Sequence, residues 1–243
     1  MVVENMTERG KRKIATVSAA IEKNLIYPAV AGADITKFGI KSNFYVLISQ
    51  DPKERKGYEE EWMISHVPLT YAYLAEFKDV LLSRGSRVVR ELAEKTAFYS
   101  MFGIGEYTFA KYRVVWKRMA YRIEAVVLSR LRTPFGPKTA VCTDTTSLFA
   151  VDNADEAHYL CGILNSTLVD SYIRSFSSAG RGFGAPSVME NLAIPKFDPK
   201  TNTHMTIALL SKKAHEAVQS GKSIDGFQSD IDRKVEELWN IRF

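Results

Sequence analysis

Four short runs rich in β-branched and aromatic residues crowd the middle of the chain, and long helical patterns follow them. Residues 112–116, 122–128, 139–142 and 147–151 read as strands, the last two joined by the polar turn Thr143-Asp144-Thr145-Thr146. From Ala154 to Phe176 the pattern turns helical, with an interruption around Asn165. Residues 203–220 and 225–239 form two amphipathic helices, and a short extended stretch, 193–195, stands before them. Upstream, residues 44–48 read as a buried strand and 52–61 as a charged loop. Val67-Pro68 opens a helix running to Ser83, and 87–96 forms a shorter one. Strands gathered in one region and helices in another predict an α+β fold: a mixed or antiparallel sheet region with packed helices and a helical C-terminal tail.

The chain is 243 residues long and 46% hydrophobic, enough to bury a sizeable core, so wholesale disorder is excluded. No run of eighteen apolar residues exists, and no membrane partner is expected. Residues 1–13 are polar and basic, without the apolar run of a secretory signal, and read as a flexible leader. Residues 14–200 then form the main domain. Residues 201–243 form a helical pair that packs either on it or on another domain. Cys142 and Cys161 are too few for a disulfide framework or a four-thiolate zinc site, which suits a reducing cytoplasm.

Charge is distributed unevenly. Lysine and arginine number 33 against 28 acids, a net charge of +5. Within residues 111–138 lie Lys111, Arg113, Lys117, Arg118, Arg122, Arg130, Arg132 and Lys138, and the only acid is Glu124. Tyr112, Trp116, Tyr121 and Phe135 interleave with them, after Tyr107 and Phe109. Cations of this kind release counterions from phosphates, and aromatic faces stack on unpaired or extruded bases. The alternative is a solvated strand face. By strand alternation, Arg113 and Lys117 share a face with Val115, opposite Tyr112, Val114 and Trp116. The first face is assigned to phosphates and the second to the core. Arg130, Arg132 and Lys138 fall in a loop around Pro134 and Gly136 that can reach a groove.

Catalytic motifs are missing. No Gly-x-x-x-x-Gly-Lys-Ser/Thr loop occurs, and Gly180-Arg181-Gly182-Phe183-Gly184 does not open a helix after a buried strand. That glycine-rich loop, carrying Arg181 and Phe183, is instead a candidate for entering a DNA groove. Glu76-Phe77-Lys78 has the spacing of a nuclease Glu-x-Lys tail, but on a helix and without preceding acids. His158 and Cys161 share a helix face, yet two ligands do not make a zinc site. No cofactor is assigned to this chain, and it is not an enzyme by itself.

Several phrases in order are similar to the C-terminal specificity domain, or target recognition domain, of TaqI-type DNA adenine methyltransferases and type IIG restriction-modification enzymes. They run over residues 27–35 (Tyr-Pro-Ala-Val-Ala-Gly-Ala-Asp-Ile), 102–117 (Phe-Gly-Ile-Gly-Glu-Tyr through Val-Val-Trp-Lys) and 157–166 (ending Leu-Asn-Ser). Residues 192–198 (Leu-Ala-Ile-Pro-Lys-Phe-Asp) and 231–238 follow. Family members often carry a basic residue before the glycine of the first phrase, where this chain has Ala31.

The resemblance implies a domain that reads double-stranded DNA for a methyltransferase catalytic domain, N-terminal or separately encoded. The parent enzyme would use S-adenosylmethionine and, where it also cleaves DNA, magnesium. The chain has no Pro-Pro pair and hence no Asn-Pro-Pro-aromatic motif, so the catalytic half is expected elsewhere. The expected DNA-binding residues are Lys111, Arg113, Lys117, Arg118, Arg122, Arg130, Arg132, Lys138 and Arg181. The alternative is a basic interaction module for RNA or an acidic protein.

Overall fold

In a computed structural model, residues 1–8, 13–42, 44–178 and 180–240 are described. They divide into two units that alternate along the chain: residues 1–27 with 45–107, and residues 28–44 with 108–243. Both contain strands and helices, an α+β composition.

In the first unit, Val2–Glu4 pairs antiparallel with Ser18–Ala20, so part of the stretch read as a leader is a strand. Gln50–Asp51 and Lys56–Gly57 form a hairpin inside the segment read as a loop. The single helix expected to start at Pro68 is two, Pro68–Glu76 and Lys78–Leu82, after a separate Glu60–His66. Proline accounts for the first break: it drives the preceding residue out of helical geometry, and Val67 sits at φ −143°, ψ 56°. The Glu22 carboxylate then accepts the Leu69 and Thr70 amides at 3.0 and 2.8 Å, satisfying first-turn donors that lack helical partners. Arg87–Lys95 is the expected short helix. Leu25, Met63, Val67, Phe98 and Tyr99 form this unit's core.

The second unit is built on three antiparallel strands, with Tyr112–Lys117 between Ala125–Leu128 and Thr146–Val151. Val141–Cys142 runs parallel to Ala29 and Val30, so both strand directions occur. Helix Ala154–Leu164 packs against Asn202–Gln219, which in turn packs against Asp225–Leu238. Ile163, Leu164, Ile207, Ile231 and Val235 are all buried there with Val114 and Trp116. The C-terminal helices therefore pack on this chain. The 193–195 stretch is not a strand: Pro195 has no N–H for a ladder. Its carbonyl accepts the Tyr159 hydroxyl at 2.9 Å instead.

Asn165 marks the expected helix break and explains it. Its side chain accepts the Ala125 amide at 2.9 Å and donates to the Ala125 carbonyl at 2.8 Å, copying a strand partner. Its own carbonyl, left over at the helix end, accepts Lys37 Nζ at 2.8 Å and Gln228 Nε2 at 3.0 Å. Asn153 caps the first helix through the Asp155 and Glu156 amides, and Ser166 opens Thr167–Phe176.

A buried polar seam links helices to sheet. His215 Nε2 accepts the Val127 amide at 3.0 Å and its Nδ1 donates to the Ser211 carbonyl at 2.7 Å, which fixes a neutral ring. His158 meets it edge-on, ring centroids 4.8 Å apart, with Nδ1 3.3 Å from Ser211 Oγ. Burial pushes His215 down to about 4 and His158, which also faces His215 and the Lys212 ammonium, down to about 3. Both rings stay neutral in the fold, whereas the unfolded chain takes up protons near 6.5. Their contribution is therefore complete above pH 6.5 and is lost as pH falls toward 4. Two such groups amount to about 2.7 kcal/mol per pH unit at most. Urea midpoints measured across that window should fall steeply for the wild type and about half as steeply for His215→Gln; equal slopes would remove the histidines as the cause.

Candidate nucleic-acid interface

The basic run follows the central strand out of the sheet. Inside the strand, Val114 and Trp116 face the helices, while Val115 joins Val30, Ile35, Val126 and Leu128 in a second core on the opposite face. Both faces are covered, and this corrects the assignment of one of them to phosphates. Arg113 is 0% exposed, and its guanidinium donates to the carbonyls of Thr108 at 2.6 Å, Ser129 at 3.1 Å and Ala140. Three carbonyls around one planar fork explain how the charge is tolerated. Burial draws its pKa down. Arg113 is a structural residue, not a DNA contact. Lys117 is half-buried and ion-paired with Glu124, the one acid of the run.

The other cations lie at the sheet's margins. Arg118 and Arg122 are exposed, and no hydrogen bond or ion pair to another described residue engages either guanidinium. Lys111 is exposed, its ammonium 5.5 Å from the Tyr112 ring centroid. Arg130 and Lys138 sit on a small hairpin, Arg130–Leu131 against Lys138–Thr139, with exposed Arg132 in its tip. Thr133 Oγ1 donates to the Gly136 carbonyl at 2.6 Å and closes that tip. Arg130 donates to the Pro137 carbonyl at 2.7 Å, and Lys138 is half-buried with partners of its own.

The glycine-rich segment is tied down. Gly180–Arg181 pairs antiparallel with Met119–Ala120; the Arg181 side chain lies outside the described residues. Phe183 is fully buried in the helix-side core, so it does not enter a groove as expected. Gly184 donates to the Arg118 carbonyl at 3.0 Å and accepts Trp116 Nε1 at 2.8 Å. A side chain at Gly184 would run into the Lys117 carbonyl, so glycine is required by the close approach. Gly32, in the first phrase of the resemblance, is required likewise: a Cβ there would lie 2.7 Å from the Thr145 carbonyl.

Glu76 ends one helix and Lys78 begins the next, so the Glu-x-Lys spacing has no strand to present it. Among the described residues no group of three His, Cys, Asp or Glu could hold a metal ion, and no helix is long and apolar enough to cross a membrane. Sequence reasoning missed Met119, which is 51% exposed beside Tyr121 at 76%. Its signal was available: small Ala120 between two bulky neighbours marks the inward position of an edge strand.

No protein-family model matches this sequence, and no curated protein sequence does. Among solved structures, the type IIL restriction-modification enzyme MmeI in complex with DNA is similar to it, with a TM-score of 0.62 at 12% identity. The fold is shared with a restriction-modification enzyme. The similarity covers 91% of this chain and 29% of the MmeI chain, so the protein spans under a third of that enzyme's length.

Proposed function

We propose that this protein is a DNA-recognition domain of a restriction-modification system. The observation that carries the reading is the set of exposed, single-signed cations at the margins of a fold shared with an enzyme solved on DNA. Arg118, Arg122 and Lys111 hold phosphates and set orientation; Arg132, in the closed hairpin tip, reads a base edge. Catalysis belongs to a methyltransferase domain outside this sequence, which uses S-adenosylmethionine and acts on adenine. That assignment to a TaqI-like or type IIG parent rests on the sequence phrases. The site of action is the cytoplasm, and no cofactor is needed by this domain itself.

Binding to a mixed-sequence duplex, followed by fluorescence anisotropy over a salt series, tests the reading. Log affinity should fall linearly with log salt, and Arg118→Glu or Arg122→Glu should flatten the slope by about one and weaken all sequences alike. Arg132→Ala should instead change site preference in a selection from random duplexes, by about tenfold at one position. Tighter binding to single-stranded RNA than to the duplex would replace this reading with an RNA-binding module.

A further inference from the structure

Residues 118–122, Arg-Met-Ala-Tyr-Arg, form a small exposed ridge whose centre is apolar. Ala120 alone turns inward, into the helix-side core. Met119 and Tyr121 stand outward on the opposite side, with an exposed arginine at each end. Trp116 is buried and Phe109, Tyr112 and Phe135 are half-buried, so Tyr121, 76% exposed, is the most exposed aromatic of the basic run.

The backbone beneath the ridge is fixed from several sides. Arg118 donates to the Thr145 carbonyl and accepts from Gly184, both at 3.0 Å. Met119 and Ala120 pair with Arg181 and Gly180. Ile123, buried, donates its amide to Asp170 Oδ1 at 2.9 Å. Isolated exposed apolar side chains are ordinary and need no explanation. Here a thioether and a phenol ring are neighbours on an immobilised backbone, so ordering them on a ligand costs little beyond their own rotamers.

The chemistry of the ridge is composite: two guanidiniums suited to phosphates enclose a flat apolar surface suited to the face of a base. The nearby acids do not oppose this, because Glu124 is paired with Lys117 and Asp170 with Arg174. We propose, on the DNA-recognition reading above, that Met119 and Tyr121 are a wedge that stacks on an unstacked nucleobase while Arg118 and Arg122 hold the flanking phosphates. A wedge must open a base step, and opening costs least where pairing is already broken.

The test compares a mixed-sequence duplex with the same duplex carrying one unpaired base, using the full chain and anisotropy. The wild type should bind the bulged duplex about tenfold more tightly. Tyr121→Ala and Met119→Ala should lose that preference while keeping the wild-type salt slope, and Tyr121→Phe should retain it. Because both side chains are exposed, thermal midpoints should stay at the wild-type value, which separates the effect from misfolding. Wild-type preference in Tyr121→Ala, or a loss accompanied by a flatter salt slope, overturns the wedge and leaves DNA binding standing. A wild type that binds neither duplex overturns the DNA reading itself, and the wedge with it.

Discussion

Arg113→Met is expected to destabilise the protein by about 4 kcal/mol, although it replaces a buried charge with a hydrophobic side chain of similar length. Two opposed effects decide the sign. Removing the guanidinium relieves a desolvation cost, which alone favours methionine. It also takes a charged donor from the Thr108, Ser129 and Ala140 carbonyls, of which Ser129 keeps the Ala140 amide at 3.1 Å. Each buried carbonyl left without a donor costs about 1–3 kcal/mol, and charge-assisted bonds of this kind are the stronger sort. Urea unfolding gives the answer through a lowered midpoint at unchanged slope. A midpoint equal to the wild type would mean that the carbonyls find other donors. The DNA salt slope of Arg113→Met, measured where the variant is folded, should match the wild type, the opposite of Arg118→Glu.

Phe183→Ala should cost a similar amount, about 3–5 kcal/mol, from a segment that reads as a loop. Its ring is fully buried in the helix-side core, and the flanking glycine carbonyl receives the Trp116 indole N–H. Loss of the ring leaves a cavity in the helix-side core and loosens the pairing of Gly180–Arg181 with Met119–Ala120. Gly184→Ala probes the same clamp by crowding, since its methyl group meets the Lys117 carbonyl, and should cost about 1–3 kcal/mol or more. Thermal melts of both variants check this; midpoints within a degree of the wild type would show that the segment is a dispensable loop after all.

The central strands and the long helices were legible because propensity, periodicity and caps agree there: Asn153 and Ser166 cap helices in the structure as their residue types favour. The face assignment of the strand 112–117 was not legible. Alternation separates two faces but does not say that either is wet, and here helices cover one and the strands around Val30 and Ile35 cover the other. Nor does a sequence reveal that an arginine has three carbonyls waiting for it, two of them 16 and 27 residues away. The glycine-rich loop 180–184 read as available to a groove; burial of Phe183 decides otherwise. Of the cations expected to bind DNA, Arg118, Arg122, Arg130, Arg132 and Lys111 are exposed. Lys117 and Arg113 are engaged, a distinction that only tertiary partners make.

The alternation of the two units along the chain also sets an order of events during synthesis. Residues 28–44 belong with partners that the ribosome has yet to make: Gly32 bonds Thr145, 113 residues later, and Lys37 bonds Asn165, 128 residues later. At ordinary elongation rates that is a wait of roughly ten seconds. During it Phe38, buried in the finished fold, has no core to enter. The first unit can close once residue 107 has emerged, which leaves the early strand of the second held as a tether until the central sheet arrives. Nascent-chain assembly is thus paced by late sequence, and pauses before residue 165 would prolong the exposure of an apolar segment translated long before.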